Sequence, residues 1–322
     1  MKKVLAILMV FLMLVALAAC GTKDDGKYVI GICQFTPHPA LDKATEGFKD
    51  AVVEGLGQEN VIFDEQNAAN EVSNCATIVN GLVSSKVDLI MANATPALTA
   101  AANATKDTGI PVLGTSVTEY GVALGIENFR GTIGTNVSGT SDLADLEKQA
   151  QMITEWVPTA KNVGLLYCSA EPNSKYQVNE VKRILEEKGM TCEFFAFSDT
   201  SDLMAVTQNA VDFSDVIYIP TDNTAATNAT AIDSICRPAN VPIIAGESGI
   251  CSKAGIATMS IDYYDLGYAT GKMAVRILKD GADVSQMAVE YAPEVQYLYN
   301  EEICNALGIQ PLEGYEKLIV EE

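Results

Sequence analysis

The chain is poor in positive charge, in histidine and in aromatic rings. Its 322 residues hold 21 Lys and Arg against 42 Asp and Glu, a formal net charge of −21. Nucleic-acid binding needs a clustered basic surface to neutralise phosphates, and no such cluster occurs, so no nucleic-acid partner is expected. The single histidine, His38, sits in a His-Pro turn. No base–nucleophile pair can be assembled around it, so it is expected to line a cleft or shape its turn, and no catalytic residue is assigned. Gly31, Gly114 and Gly246 do not form a G-x-G-x-x-G series, and no P-loop is present. The usual phosphate cradles are therefore missing. No two cysteines have C-x-x-C spacing, which argues against zinc and thioredoxin-like sites. Neither a metal nor a cofactor is expected.

An apolar run long enough to cross a bilayer comfortably is also lacking. The one candidate, Val4 to Leu17, has signal-peptide length. It follows Lys2-Lys3 and ends in Leu17-Ala18-Ala19-Cys20-Gly21. Small residues just before a cysteine resemble a bacterial lipobox. The expectation is a signal peptide over 1–19, lipidation of Cys20, and a short polar tether over 20–27. Each buried acyl CH₂ contributes about 0.8 kcal/mol, so several chains on Cys20 would anchor the protein stably. The mature chain is then expected outside the cytoplasmic membrane, attached by lipid and without a spanning helix. Cys33, Cys75, Cys168, Cys192, Cys236, Cys251 and Cys304 remain. Several fall in apolar patterns, where a free thiol packs as a small hydrophobe. Most are expected to be buried, and any bridging is left open.

What the chain does have is a repeated design. Val87-Asp88-Leu89-Ile90-Met91 runs into Ala92-Asn93-Ala94-Thr95-Pro96 and an Ala-rich helix. Asp215-Val216-Ile217-Tyr218-Ile219 runs into Pro220-Thr221-Asp222-Asn223 and an Ala/Thr/Asn helix. Each reads as a buried strand emptying into a helix N-terminus. Each is followed by an apolar-Pro-apolar strand, at Ile110–Ser116 and at Val241–Ser248. Further strands are expected at Tyr28–Cys33, Val61–Asp64, Val163–Tyr167 and Cys192–Phe197. Apolar residues at helical spacing lie between them. Strands alternating with helices predict parallel sheets covered on both faces, with right-handed crossovers.

The length allows two domains. The polar stretch Asn136–Ser141 is expected to be a first crossing between lobes, and Ala288–Tyr291 a third. The expected lobes are 28–137 plus 260–287, and 138–259 plus 288–322, joined by three hinge crossings.

Polar residues gather at the strand-to-helix turns: Thr95; Thr115 and Ser116; Asn173 and Ser174; Thr221, Asp222 and Asn223; Glu247 and Ser248. Any one of them has a plain role as a helix cap, worth about 1 kcal/mol. Together they matter more, because ligands in open α/β sheets sit beyond the carboxyl ends of the strands. The turns around Thr95 and Thr115-Ser116 carry hydroxyls and no Lys or Arg, which suits an anion held by N–H groups. The turns around Asp222 and Glu247 carry carboxylates, which suit an ammonium. Opposite ends of this kind describe a site for a zwitterion, such as an α-amino acid. Gln34 and Phe35 follow the first strand and could face the ligand's side chain, with core packing an equal alternative for Phe35.

Several separated motifs resemble one family. They are Ile30-Gly31-Ile32-Cys33-Gln34-Phe35 with His38-Pro39-Ala40-Leu41-Asp42, then Ala94-Thr95-Pro96-Ala97, Pro220-Thr221-Asp222-Asn223, and Ile261-Asp262-Tyr263-Tyr264-Asp265-Leu266-Gly267. These are similar to substrate-binding lipoproteins of ATP-binding-cassette importers, the group that includes tryptophan/tyrosine- and phenylalanine-type binders. The resemblance implies a periplasmic-binding-protein fold of the first type, an aromatic or apolar amino acid as ligand, and a membrane permease with its ATPase as partners. Carried over by motif, Thr95, Thr115 and Ser116 would hold the ligand carboxylate. Asp222 would hold the ammonium, with Asn173, Ser174, Glu247 or Ser248 closing the other side. The sequence departs from the family pattern at Cys33, where a small hydroxyl residue is expected, and over Glu247–Cys251. Alternatives are a sugar- or nucleoside-binding protein of the same fold, or a ligand sensor for a membrane partner.

Overall fold

The computed structural model describes residues 26–292 and 294–319. The signal segment, Cys20 and the start of the tether lie outside the described residues. Among those described, no helix is long and apolar enough to cross a membrane.

The strands fall into two sheets. The first holds β1 (Tyr28–Gln34), β2 (Val61–Asn67), β3 (Leu89–Asn93), β4 (Val112–Val117), β5 (Val137–Ser141) and β11 (Glu290–Tyr291). Its order is β2-β1-β3-β4-β5-β11, and every pairing is parallel. The second holds β6 (Asn162–Cys168), β7 (Thr191–Phe197), β8 (Val216–Ile219), β9 (Ile243–Ala245), β10 (Ala257–Ile261), β12 (Val295–Tyr299) and β13 (Glu316–Lys317). Its order is β7-β6-β8-β9-β10-β12-β13. The first five strands of each half thus follow the same doubly wound order. Each half reverses direction between its first and third strands, at β1/β3 and β6/β8, where such sheets place their ligands. One pairing departs from the expected parallel pattern, since β12 runs antiparallel to β10.

The central strands are buried on both faces, which is why they read as unbroken apolar runs. Each fully buried Ile or Leu contributes roughly 1.5–3 kcal/mol by leaving water. Helices Pro39–Leu56 and Tyr263–Leu278 pack backbone to backbone over the first sheet. A Cβ on Gly267 would stand 1.9 Å from the Ala44 carbonyl oxygen, and one on Gly47 would stand 2.1 Å from that of Tyr264. Glycine is needed at both positions for the helices to touch.

The segment Asn136–Ser141, expected as a polar crossing, is largely strand β5. It is buried, and its hydroxyls are satisfied inside the protein. Ser138 donates to the Met287 carbonyl, Ser141 to that of Thr118, and Thr140 shares a hydrogen bond with Thr270 at 2.8 Å. A strand whose polar side chains meet only protein looks like a loop in sequence. The passage to the second sheet therefore falls after Ser141 rather than after residue 137. The return falls after Ile261, since β10 belongs to the second sheet. Ala288–Tyr291, expected as the third crossing, includes β11, which pairs with β5. The final passage lies between Tyr291 and Val295. The C-terminal segment supplies β12, a helix at Glu301–Leu307 and β13. All seven cysteines among the described residues are buried free thiols.

Candidate ligand cleft

The carboxyl ends of the two sheets face each other across a narrow, nearly closed cavity of about 10 Å³. Ser116 and Thr118 border it from the end of β4, and His38 and Leu41 from the turn and helix after β1. Asn173, Thr221, Asp222, Asn223 and Glu247 border it from the second sheet. Asp142 and Tyr263 border it from the two passages between sheets. No Lys or Arg lines it. The halves touch at its rim. His38 Nε2 lies 3.2 Å from Asn223 Oδ1, and Thr224 Oγ1 donates to Asn70 Oδ1 at 3.3 Å.

Local structure explains why these side chains converge. The pairing of β4 with β5 slips between Gly114 and Val117, and a bulge of this kind re-aims a side chain. Ser116 lies inside that slip with φ of 54°, a left-handed conformation that is costly for a residue with a Cβ. Its hydroxyl is buried and has no partner. At the ends of β8 and β9, a Cβ on Gly246 would meet the Pro220 carbonyl carbon at 2.5 Å. That contact sets the Glu247 turn against the Asp222 turn.

The carboxylates differ in how much of each is already used. Asp222 accepts from the Cys168 N–H at 2.7 Å and from the Ala225 N–H at 2.8 Å. It bridges the ends of β6 and β8 and caps the helix Asn223–Thr227. Burial, with Glu171 adding negative charge nearby, pushes it up to about 8. Glu247 caps its own helix by accepting from the Gly249 and Ile250 N–H groups. Burial raises its pKa, and the charge of His38 opposes the rise. Asp142 accepts from the Tyr263 hydroxyl, at 3.1 Å on Oδ2, and its Oδ1 is buried without a partner. Burial lifts Asp142 to about 6, while hydrogen bonds from Thr118 and Tyr263 pull the other way.

Of the residues singled out from sequence, the fold brings Ser116, Asn173, Thr221, Asp222, Asn223 and Glu247 to the cavity. It does not bring the others there. Phe35 is swallowed by the core of the first half. Gln34 donates to the Thr36 carbonyl and to Asp42, and accepts from Thr45. Thr115 is tied to Thr140 at 3.3 Å. Ser174 donates to the Thr221 carbonyl at 3.4 Å, and the Ser248 N–H donates to Ser260. Thr95 starts the helix Thr95–Thr105, and its hydroxyl is buried and unpartnered without lining the cavity.

Sequence reasoning missed Asp142, Tyr263 and Glu171. Glu171 is 1 % exposed. It accepts from the N–H and side chain of Asn223, from the N–H and hydroxyl of Thr224, and from Asn173. These bonds fix the edge of the cleft that meets His38 and Asn70. The signal available was an acid directly before Pro172 at a helix start.

Two doubly wound halves with a polar cavity at their facing switch points define a two-lobed solute-binding protein. The model for the family described as ABC transporter substrate binding protein matches residues 29–320. The chain belongs to this family. Proteins of the family work outside the cytoplasm, bind rather than transform their solutes, and serve a membrane permease. The tyrosine-binding protein of Clostridioides difficile strain R20291 is 36 % identical over 286 residues, covering 88 % of this chain and 81 % of its own. A Streptococcus pneumonia ABC domain solved in complex with L-Trp is 33 % identical, covers 90 % of this chain and 100 % of its own, and superposes with a TM-score of 0.83. A Clostridium difficile substrate-binding protein with adhesive properties, solved ligand-free and open, is 36 % identical over 91 % of this chain and 100 % of its own, with a TM-score of 0.69. The fit is thus better to the L-Trp complex than to the open form, despite the lower identity. That agrees with the direct contacts between halves at His38 and Asn70.

Proposed function

We propose that the chain is a lipid-anchored binding protein that captures an aromatic amino acid and presents it to an importer's permease. The observation that carries this reading is that four residues lining one cavity each keep a buried polar atom without a partner: His38 Nδ1, Ser116 Oγ, Asp142 Oδ1 and Asn173 Oδ1. Buried polar groups are nearly always paired, so a cluster of orphans marks a site completed by a polar guest. A lining that carries the hydroxyls of Ser116 and Thr118 and the carboxyls of Asp142, Asp222 and Glu247, with no Lys or Arg, suits a zwitterion better than a free anion. Leu41, Ala226 and Tyr263 supply the apolar part of the lining. The tyrosine-binding relative and the L-Trp complex support an aromatic side chain.

Ligand entry requires the lobes to part, because the space left between the touching halves, about 10 Å³, does not hold an amino acid. Closing on the ligand then favours the ligand-filled closed state, by no more than the ligand's preference for it. Cys20 would hold the protein at the outer membrane surface through its acyl chains, beside the permease and its ATPase. A thermal-shift screen of amino acids, sugars and nucleosides tests the reading. L-Tyrosine, L-tryptophan or L-phenylalanine should raise the unfolding temperature. A shift given by a sugar or nucleoside and by no amino acid would overturn it.

A further inference from the structure

We infer that Asp142, rather than Asp222, receives the ammonium group of the ligand; this rests on the amino-acid reading above. The argument is a count of acceptor sites. Asp222 already spends one carboxylate oxygen on the Cys168 N–H and the other on the Ala225 N–H. Glu247 spends one on Gly249 and the other on Ile250. Both carboxylates are helix caps first, and Asp222 is a strand bridge as well. A ligand ammonium could draw on their remaining lone pairs only in competition with backbone donors.

Asp142 is different. It is 3 % exposed, Tyr263 engages its Oδ2, and the Thr118 hydroxyl also stabilises its charge. The residue borders the cavity, and its Oδ1 is buried and has no partner. An ionised oxygen in that state is costly to keep. An ammonium carries three N–H donors and the opposite charge, and no Lys or Arg in the lining competes for the place. Asn173 Oδ1, also buried and unpartnered in the same lining, offers a second acceptor.

Position adds a consequence. Asp142 follows β5 where the chain leaves the first sheet, and Tyr263 follows β10 where it returns. A ligand held by Asp142 is therefore held at two of the passages about which the lobes swing. Binding and closure would share one contact.

The test is calorimetric titration of L-tyrosine, L-tryptophan and L-phenylalanine into the wild-type protein and Asp142→Asn. The analogue 3-(4-hydroxyphenyl)propanoate, which lacks the amino group, is titrated in parallel. Asparagine keeps the size and can still accept from Tyr263, but carries no charge. The variant should lose about 30-fold or more in affinity for the amino acid, the usual scale for losing a buried charge partner. Its affinity for the analogue should change by less than about 3-fold. Asp142→Ala, followed in the same way, guards against a local rearrangement peculiar to asparagine. Wild-type binding with both variants within about 3-fold of it would overturn the inference and leave the ligand reading intact. If the wild type binds none of the three amino acids, the ligand reading itself falls.

Discussion

Replacing Asp142 by asparagine should stabilise the ligand-free protein, and only above a defined pH. The side chain is buried and lies near the negative charge of Glu247, and its pKa rises from 3.8 to about 6. A carboxyl with a raised folded pKa binds its proton more tightly when folded. Its stabilising contribution is therefore complete below the unfolded pKa and is lost as pH rises through the folded one. The gap of about two pH units, at 1.36 kcal/mol each, is worth roughly 3 kcal/mol at pH 8. Asparagine takes the same place without a charge to desolvate. Urea or thermal unfolding of both proteins across pH measures the difference. It should be near zero at pH 4 and grow to roughly 3 kcal/mol by pH 8, or about 5 °C or more for a chain of this size. Thr118, Tyr263 and Glu247 face the same carboxyl, and the variant also relieves Glu247 and Tyr263 of its charge, which adds to the gain at high pH. An equal or lower stability of the variant at pH 8 would refute the claim that a desolvated, incompletely paired carboxylate sits there. Gained stability with lost binding is the trade expected of a functional group.

Four further outcomes follow from the same structure. Affinity for L-tyrosine should fall on acidification below about pH 6, as Asp142 takes up a proton while the ligand ammonium stays charged; a flat profile from pH 7 to 5 in isothermal titration would remove that link. Gly267→Ala should cost about 1–3 kcal/mol in denaturant unfolding, because its Cβ would stand 1.9 Å from the Ala44 carbonyl oxygen; an unchanged midpoint would contradict the close helix contact. Glu171→Ala strips the acceptor from Asn223 and Thr224 inside the protein and should cost about 3 kcal/mol or more, read as a lowered unfolding midpoint. Cys20→Ser should move the protein from the membrane fraction to the soluble one, and retention in the membrane would argue against acylation.

Much of the architecture was legible. Strands such as Leu89–Asn93 and Val216–Ile219 are short apolar runs closed by helix-starting turns. Their repetition revealed two matching halves. Strand β5 was missed because Ser138, Thr140 and Ser141 find their partners on distant segments. Such a strand carries no apolar pattern to read. The tail was opaque for a similar reason, since β13 is a two-residue exposed edge strand and β12 beside it is only partly buried. Part of the site was readable as polar turns after strands. Which of those polar groups point into the cavity was not.

Sequence alone determined the alternation of strand and helix, the pairing of two like halves and the scarcity of basic groups in the cleft turns. These are local properties: side-chain period, turn chemistry and charge along the chain. Tertiary structure decided which carboxylates are free to act. Asp222 looks like a ligand-binding acid until the Cys168 N–H arrives from the end of β6 to take one oxygen while its own helix takes the other. Asp142 looks like a linker residue until Tyr263, far along the chain, takes one oxygen and burial leaves the other bare. A hydrogen-bonding vacancy exists only after every neighbour has been placed, and those neighbours are assembled by packing.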